Sequence, residues 1–183
     1  MTRARQDATH DDTTGLPNRR ALLAAVGRAV RHRRPFGVIL LDLDQFKAIN
    51  DTFGHEGGND LLAEIGRRLP NLPPPVHLAA RLSGDEFALL VTGDRDEVAA
   101  VAFAAWRAIG LDPIPLGERH VAVQASVGYA TAARGVDART LLWQADVAMY
   151  HAKRTGSGVH GAATTGHTDP APGTRCRDLR RRN

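Results

Sequence analysis

Two carboxylates close an apolar run in this chain. Asp42 and Asp44 end the segment FGVILLDLD, whose short, continuous and branched character predicts a buried strand over residues 36–43. Carboxylates at the end of such a strand are costly unless they are solvated, paired or bound to a metal ion. The pattern fits a metal site. It also fits a solvated strand end at which Asp44 caps a following helix.

A second pair of carboxylates lies in a turn. Asp85 and Glu86 belong to the run SGDE, which is typical of a tight hairpin turn and often has no further role. If the strand ending at Asp42 pairs with this hairpin, a strand spacing of about 5 Å would let the carboxylates share one cation. Mg²⁺ held by one or two carboxylates and substrate phosphates is usual in phosphoryl transfer, where two such ions assist an in-line displacement.

Lysine is rare in this chain. Of 24 basic residues 22 are arginine, and the only lysines are Lys47 and Lys153. A lysine ammonium is a compact point charge suited to a phosphate. The glycine-rich run over residues 54–58 precedes a predicted helix, and helix N-termini bind anions, although the run is neither a Walker loop nor a dinucleotide fingerprint. Together these features indicate a site for a metal ion and a polyphosphate.

Helices and strands must bring these residues together. Apolar periodicity predicts helices over about 17–33, 46–53, 59–69, 94–110 and 137–156, and strands over about 36–43, 76–82, 86–92 and 121–127. Asp94 with Glu97 and Asp137 are the predicted caps of the last two helices, and Gly156 is predicted to end the last one. Strands and helices interleaved around a hairpin predict an α+β fold. Its central sheet would be mostly antiparallel and flanked by helices, similar to the ferredoxin-like split βαβ arrangement.

The composition is that of one globular domain. The chain has 183 residues, of which 43% are hydrophobic and 24% charged, a length that usually forms a single domain. A single cysteine, Cys176, excludes an internal disulfide and a multi-cysteine zinc site. The start of the chain lacks a signal-peptide core, and no apolar run approaches the ~20 residues that span a bilayer. We expect a cytoplasmic protein without a membrane segment.

The positive charge is local. Five arginines and two aspartates within residues 161–183 give +3 of the formal net charge of +4. We expect residues 1–10 to be a flexible N-terminus, 11–160 the folded domain and 161–183 a disordered basic tail. A short basic tail is usually solvated, which argues against a nucleic-acid partner.

Five motifs in order resemble those of the GGDEF domain, the diguanylate cyclase family. They are HDDTTGLPNRR (10–20), DLDQFKAINDTFGHEGGNDLL (42–62), RLSGDEF (81–87), ASVGYA (125–130) and ADVAMYHAKRTG (145–156). The resemblance implies that residues 11–160 form a cyclase domain with a central sheet like the palm of nucleotidyl cyclases. It also implies that two GTP are condensed into cyclic di-GMP with loss of two pyrophosphates, where two protomers meet.

The resemblance also implies a role for individual residues. Asp42, Asp85 and the Leu43 carbonyl would bind Mg²⁺ or Mn²⁺. Glu86 would support the metal site or the deprotonation of the 3′-hydroxyl. Substrate contacts would come from the phosphate-binding Lys47, Lys153, Gln45 and Phe46, the guanine-reading Asn50 and Asn59, and Gly84, which would let the hairpin approach the nucleotide.

Several positions depart from the family pattern. Ser83 replaces the first glycine of the signature, Asn59 an aspartate and Ser157 an arginine. An amide offers guanine one acceptor oxygen, whereas a carboxylate offers two. The replacement of aspartate by Asn59 would therefore weaken the binding free energy by an amount on the order of 1–3 kcal/mol. A catalytically weak or degenerate module that binds GTP or a signalling partner is therefore the alternative. Either reading allows an upstream sensor or activating partner.

Overall fold

Seven strands and four α-helices lie within the described part of the chain. The computed structural model describes residues 9–32 and 34–163. The strands are β1 Phe36–Leu43, β2 Val76–Ser83, β3 Glu86–Thr92, β4 Ile114–Leu116, β5 Arg119–Val121, β6 Ala125–Thr131 and β7 Val159–Gly161. The helices are α1 Arg19–His32, α2 Phe46–Arg68, α3 Arg95–Gly110 and α4 Ala138–Thr155, and a 3₁₀ turn, Leu69–Asn71, follows α2.

The central sheet has the strand order β2-β3-β1-β6-β7. β1 lies in the middle and pairs antiparallel with β3 and β6, while β2 pairs antiparallel with β3. Only β7 runs parallel to its neighbour, β6, and β4 and β5 form a separate small hairpin. The predicted α+β class, with a mostly antiparallel sheet flanked by helices, is confirmed.

Alternating side chains of β1 supply two separate cores. Ile39 and Leu41 pack in a cluster with α2 and α3, whereas Val38 and Leu40 pack in a cluster with α1 and α4. Side chains alternate between the two faces of a strand, so Asp42 belongs to the set of Val38 and Leu40. The first carboxylate therefore points to the sheet face that α4 covers.

The predicted helices are present, with one change. The two short helices predicted on either side of the glycine-rich run are one element, α2, which is kinked at Gly54. Gly54 has φ 72° and ψ 175°, whereas Gly57 and Gly58 are helical. The predicted caps are confirmed: Asp94 forms a capping box with Glu97 at α3, and the Asp137 side chain accepts the Thr140 N–H at α4.

The strand predicted over residues 121–127 is wrong. The strand β6 starts at Ala125, and residues 119–121 belong to β5, so the alternating pattern crosses from one strand to another. Val123 lies between them and is buried without belonging to either strand. The alternating apolar residues over 121–127 indicate burial, and residues of a loop packed on the core can be buried in the same pattern as those of a strand. The three-residue strand β7 was not predicted.

Both ends of the chain extend beyond the described residues. The flexible N-terminus was predicted for residues 1–10 and the disordered tail for residues 161–183. Residues 1–8 and 164–183 lie outside the described part, and the domain bounds remain a prediction. Inside the described part, His10 forms a β-bridge with Pro17, and the Ala162 N–H donates to the Tyr129 carbonyl at 2.7 Å. No helix in the described part is long and apolar enough to cross a membrane.

Candidate functional site

Asp42 is a buried carboxylate near the end of the central strand β1. Asp42 is 3% exposed and lies directly opposite Glu86 of β3. The next residue, Leu43, donates its N–H to the Asp85 carbonyl at 3.2 Å. The end of β1 therefore pairs with the hairpin turn, which was the condition for bringing Asp42, Asp85 and Glu86 together.

The Asp42 carboxylate acts on the ionisation of Asp85. The pKa of Asp85 is raised from its ordinary value, first by burial and then by the negative charge of Asp42, with Glu86 adding to the effect. The positive charge of Lys153 acts in the opposite direction. This end of the sheet therefore concentrates negative charge, which a cation would stabilise.

Lys153 is the ammonium partner of the buried carboxylate. It lies in the last turn of α4, and its Nζ donates a hydrogen bond to Asp42 Oδ1. The lysine side chain is 42% exposed, so its ammonium lies at the boundary between Asp42 and solvent. The two residues are far apart in the sequence and meet because α4 covers the face on which Asp42 lies.

Lys47 has different surroundings. Its side chain is 89% exposed, and its Nζ lies 3.0 Å from Asp51 Oδ2, one helical turn further along α2. The structure thus pairs Lys47 with an exposed neighbour on its own helix, while it pairs Lys153 with Asp42.

The loop between β1 and α2 has an unusual backbone. Gln45 has φ 57° and ψ 24°, a left-handed conformation that is rare outside glycine and is often kept at functional sites. It precedes α2, which starts at Phe46, and the first N–H groups of a helix have no helical carbonyl to donate to. The predicted phosphate contacts of Gln45 and Phe46 thus fall at a helix N-terminus, a position that favours anions.

The suggested helix cap at Asp44 is wrong. Gln45 occupies the N-cap position of α2, without a side-chain cap. The Asp44 carboxylate instead accepts a hydrogen bond from Ser126 Oγ at 2.8 Å. Ser126 is 4% exposed and lies opposite Asp42 on β6, so the loop after β1 is tied to the start of β6.

The kink in α2 brings the side chain of Asn50, one of the two predicted guanine-reading residues, against Gly58, the residue before the other. Asn50 Oδ1 packs so closely on Gly58 that a Cβ at that glycine would lie 2.0 Å from it. Asn59 follows directly and is exposed. Only a glycine at residue 58 allows this approach between the turns on either side of the kink.

A clamp that sequence reasoning missed fixes the hairpin turn. Arg81 donates from Nε and Nη2 to the Gly84 carbonyl at 3.0 and 2.8 Å, and from Nη1 to Asp11 Oδ1 at 2.9 Å. Thr14 also donates to Asp11. Burial alone would raise the pKa of Asp11, but these hydrogen bonds and the Arg81 charge outweigh it and lower the pKa. Arg81 and Asp11 each lie within one of the five family motifs, and that position was the only sign in the sequence that they have a role.

The turn has two further features. Gly84 has φ 52°, a conformation that favours glycine. Ser83 lies opposite Glu86 across the turn, and its Oγ donates to Glu86 Oε2 at 3.1 Å.

The donor set suits a hard cation. The described residues contain no cluster of three or more histidine, cysteine or acidic side chains arranged to hold a metal ion. The available ligands are the Asp42 and Asp85 carboxylates, which are oxygen donors. Mg²⁺ is commonly held by one or two carboxylates together with substrate phosphates and water, so two carboxylates are sufficient.

A family comparison matches the whole of this site. The model described as "Diguanylate cyclase, GGDEF domain" matches residues 8–158. This chain belongs to the GGDEF domain family. The resemblance carried by the five motifs is thereby confirmed, and the GGDEF signature of this chain is the run Ser83–Phe87, SGDEF.

Curated relatives of this GGDEF domain are longer proteins. MucR of Pseudomonas aeruginosa, named a bifunctional diguanylate cyclase and cyclic di-GMP phosphodiesterase, is 38% identical over 82% of this chain and 23% of its own length. The diguanylate cyclase TpbB of the same species is 36% identical over 82% of this chain and 36% of its own length. The chain thus spans about a quarter to a third of these two relatives.

Solved GGDEF structures share the fold. The coiled coil and GGDEF domain of DgcB from Caulobacter crescentus, in complex with c-di-GMP, superposes with a TM-score of 0.80 at 28% identity, covering 87% of this chain and 88% of that one. The diguanylate cyclase SiaD of Pseudomonas aeruginosa, in complex with its activator SiaC, gives 0.79 at 31% identity, covering 87% and 64%. The palm-like sheet expected from the resemblance is the GGDEF fold.

Proposed function

We propose that this chain condenses two GTP molecules into cyclic di-GMP and two pyrophosphates. The observation that carries the proposal is the buried Asp42, which pairs with Lys153 beside the Asp85 carboxylate. Burying a carboxylate is costly, and a purely structural domain has no need to place a second one next to it. Relatives named diguanylate cyclases support the same reaction.

Asp42, Asp85 and the Leu43 carbonyl would hold Mg²⁺ or Mn²⁺. The bound ion would neutralise phosphate charge and favour an in-line displacement at phosphorus. Both carboxylates lie at one end of the sheet, and the α2 N-terminus that would take the phosphates follows Asp42 directly along the chain.

Other residues of the chain would bind and orient the nucleotide. Lys153 and the backbone N–H groups of Gln45 and Phe46 would hold phosphates, and the exposed Lys47 would contact them from solvent. Asn50 and Asn59 would read the guanine, while Gly84 would let the turn approach the nucleotide closely. Each of these positions lies on a loop or helix end that borders Asp42 or on the kinked part of α2.

The reaction joins two nucleotides twice. The 3′-hydroxyl oxygen of one GTP bonds to the α-phosphorus of the other, the bond to pyrophosphate breaks, and the hydroxyl proton leaves. Glu86 lies beside Asp42 and would take part in this deprotonation or support the metal site. The second bond closes the ring in the same way, so each of two protomers would present one GTP to the other.

A second protomer is therefore needed, and an upstream sensor or activating partner would control its approach. The SiaD structure is a complex with an activator. A binding partner of this kind, acting on the pairing of protomers, fits the same requirement here.

Three residue positions favour the alternative of a weak or degenerate module that binds GTP or a signalling partner. Asn59, Ser83 and Ser157 replace residues that the family uses toward substrate. Ser157 is engaged at the end of α4, where its hydroxyl lies 3.0 Å from Thr155 Oγ1. In this alternative GTP binds but is not converted.

The test is a product assay with a matched pair of variants. Purified protein is incubated with GTP and Mg²⁺, and the nucleotides are separated by chromatography. We expect cyclic di-GMP from the wild type and from Asp112→Asn, which alters an exposed loop carboxylate, and none from Asp85→Asn. Undiminished product from Asp85→Asn would contradict the proposed site. GTP binding without product from the wild type would favour the alternative.

A further inference from the structure

We infer that Ser83 is a positioning residue for Glu86, so that the serine contributes to the reaction of this chain instead of weakening it. The inference rests on the proposed function. It starts from one row of paired residues across the sheet: Ser83 lies opposite Glu86, Glu86 opposite Asp42, and Asp42 opposite Ser126. Directly opposite residues on neighbouring strands lie about 4.5–5.5 Å apart between Cβ atoms, so their side chains interact.

The middle of this row contains two like charges. Glu86 and Asp42 are opposite each other, an arrangement that is unfavourable for two carboxylates. Different elements supply a hydrogen-bond donor to each carboxylate. Lys153 donates to Asp42 from α4, and Ser83 donates to Glu86 from β2 at 3.1 Å. The Ser83 hydroxyl thus draws the Glu86 carboxylate toward the edge strand and away from Asp42.

The backbone of the turn does not depend on Ser83. Arg81 holds the Gly84 carbonyl with two hydrogen bonds of 3.0 and 2.8 Å, and Leu43 donates to the Asp85 carbonyl. Changing the side chain at residue 83 should therefore alter the orientation of Glu86 and leave the turn in place. A glutamate side chain has several rotatable bonds, so losing its donor releases it into other rotamers.

Two accounts of Ser83 predict opposite results for the family's own residue. If the serine only crowds the nucleotide with its Cβ and hydroxyl, Ser83→Gly raises turnover and Ser83→Ala gives a smaller gain. If the hydroxyl positions Glu86, both variants lower turnover, because both lack the donor. Ser83→Thr keeps the donor and suits the end of a strand, so it rescues turnover.

The first experiment measures kcat and KM for GTP in the three variants. We expect kcat to fall about three- to tenfold in Ser83→Gly and Ser83→Ala, with KM changed less than about twofold, and to recover in Ser83→Thr. Melting temperatures should stay within a few degrees of each other. Turnover at or above the wild-type value in Ser83→Gly, or a threonine variant as slow as the alanine variant, would overturn the inference.

A second experiment does not need turnover. The Glu86 carboxyl carbon is followed by ¹³C NMR and assigned from its loss in Glu86→Gln. Its resonance should shift in Ser83→Ala and Ser83→Gly and stay near the wild-type position in Ser83→Thr. An unmoved resonance overturns the inference whatever the activity. If the resonance shifts in these variants but the wild type makes no cyclic di-GMP, the contact between Ser83 and Glu86 is real. The proposed function is then refuted, and with it the contribution of Ser83 to a reaction.

Discussion

The two lysines provide a matched test of the buried carboxylate. Lys153→Met removes the ammonium that pairs with Asp42, a residue only 3% exposed, and we expect it to lower the free energy of unfolding by about 1–3 kcal/mol. Lys47→Met removes an exposed pair with Asp51 and should change that free energy by less than about 0.5 kcal/mol. Urea denaturation near neutral pH measures both. Equal losses of unfolding free energy in the two variants would show that the buried pair of Lys153 and Asp42 stabilises the fold no more than an exposed pair does.

Asp11 gives the site a defined response to acid. Its pKa is lowered in the folded chain, so folding favours the ionised carboxyl. Its contribution to stability is complete above the ordinary value of 3.8 and is lost as the pH falls through the lower folded-state pKa. We expect Asp11→Asn to be less stable than the wild type by about 1–2 kcal/mol near pH 7.

That difference should shrink toward zero as the pH falls below the lowered folded-state pKa of Asp11, because the wild-type carboxyl is then protonated as well. Denaturant unfolding at several pH values measures it, with the exposed neighbour Asp12→Asn as the control. A difference between wild type and Asp11→Asn that is independent of pH would contradict the Arg81 clamp as its cause.

Individual site residues were predictable to different degrees. A carboxylate at the end of an apolar strand and another in a hairpin turn are visible in the sequence, so Asp42 and Asp85 could be named as partners if the strands paired. The bond between Lys153 and Asp42 could not, because it depends on α4 covering the face that Asp42 shares with Val38 and Leu40.

At the scale of elements, the kink in α2 requires glycine. Gly54 has φ 72° and ψ 175°, a region that other residues avoid, so Gly54→Ala should lower the free energy of unfolding by about 1–3 kcal/mol. The control is Gly27→Ala inside α1, where a Cβ would meet its nearest atom at 3.9 Å. That change should stabilise the chain by about 0.5–1 kcal/mol. Thermal or urea unfolding should show a lower free energy of unfolding in Gly54→Ala and a higher one in Gly27→Ala. Equal losses in the two variants would contradict the requirement for glycine at residue 54.

Element boundaries were predicted where local chemistry sets them. The Asp94 and Asp137 caps and the stop at Gly156 depend on a few neighbouring residues, and they were correct. The strand predicted over residues 121–127 failed because buried Val123 mimics a strand position while it packs in a loop. The three residues of β7 take their structure from pairing with β6, which no local pattern reveals.

At the scale of the whole molecule, the order of the elements was sufficient to predict the class of fold. Strands that alternate with amphipathic helices around a hairpin leave few arrangements that bury both faces of a sheet. The central position of β1, with α2 and α3 on one face and α1 and α4 on the other, follows from its apolar residues on both faces. The strand order itself, set by contacts distant in sequence, required the structure.

The proposed reaction requires two copies of the chain to meet, each presenting one GTP. The rate of cyclic di-GMP formation should then rise more steeply than in proportion to protein concentration until the protomers are mostly paired. A heterologous dimerising segment fused to the chain should remove that curvature and raise the rate at low concentration, since it makes the encounter intramolecular.

One assay tests the central account most directly. Cyclic di-GMP and pyrophosphate are measured together from GTP and Mg²⁺ over a range of protein concentrations, in the wild type and in Asp85→Asn. The account predicts two pyrophosphates for each cyclic di-GMP, a rate that rises more than linearly, and loss of both products in Asp85→Asn. A rate strictly proportional to concentration down to protein concentrations at which the chain is monomeric, or pyrophosphate released without cyclic di-GMP, would contradict it.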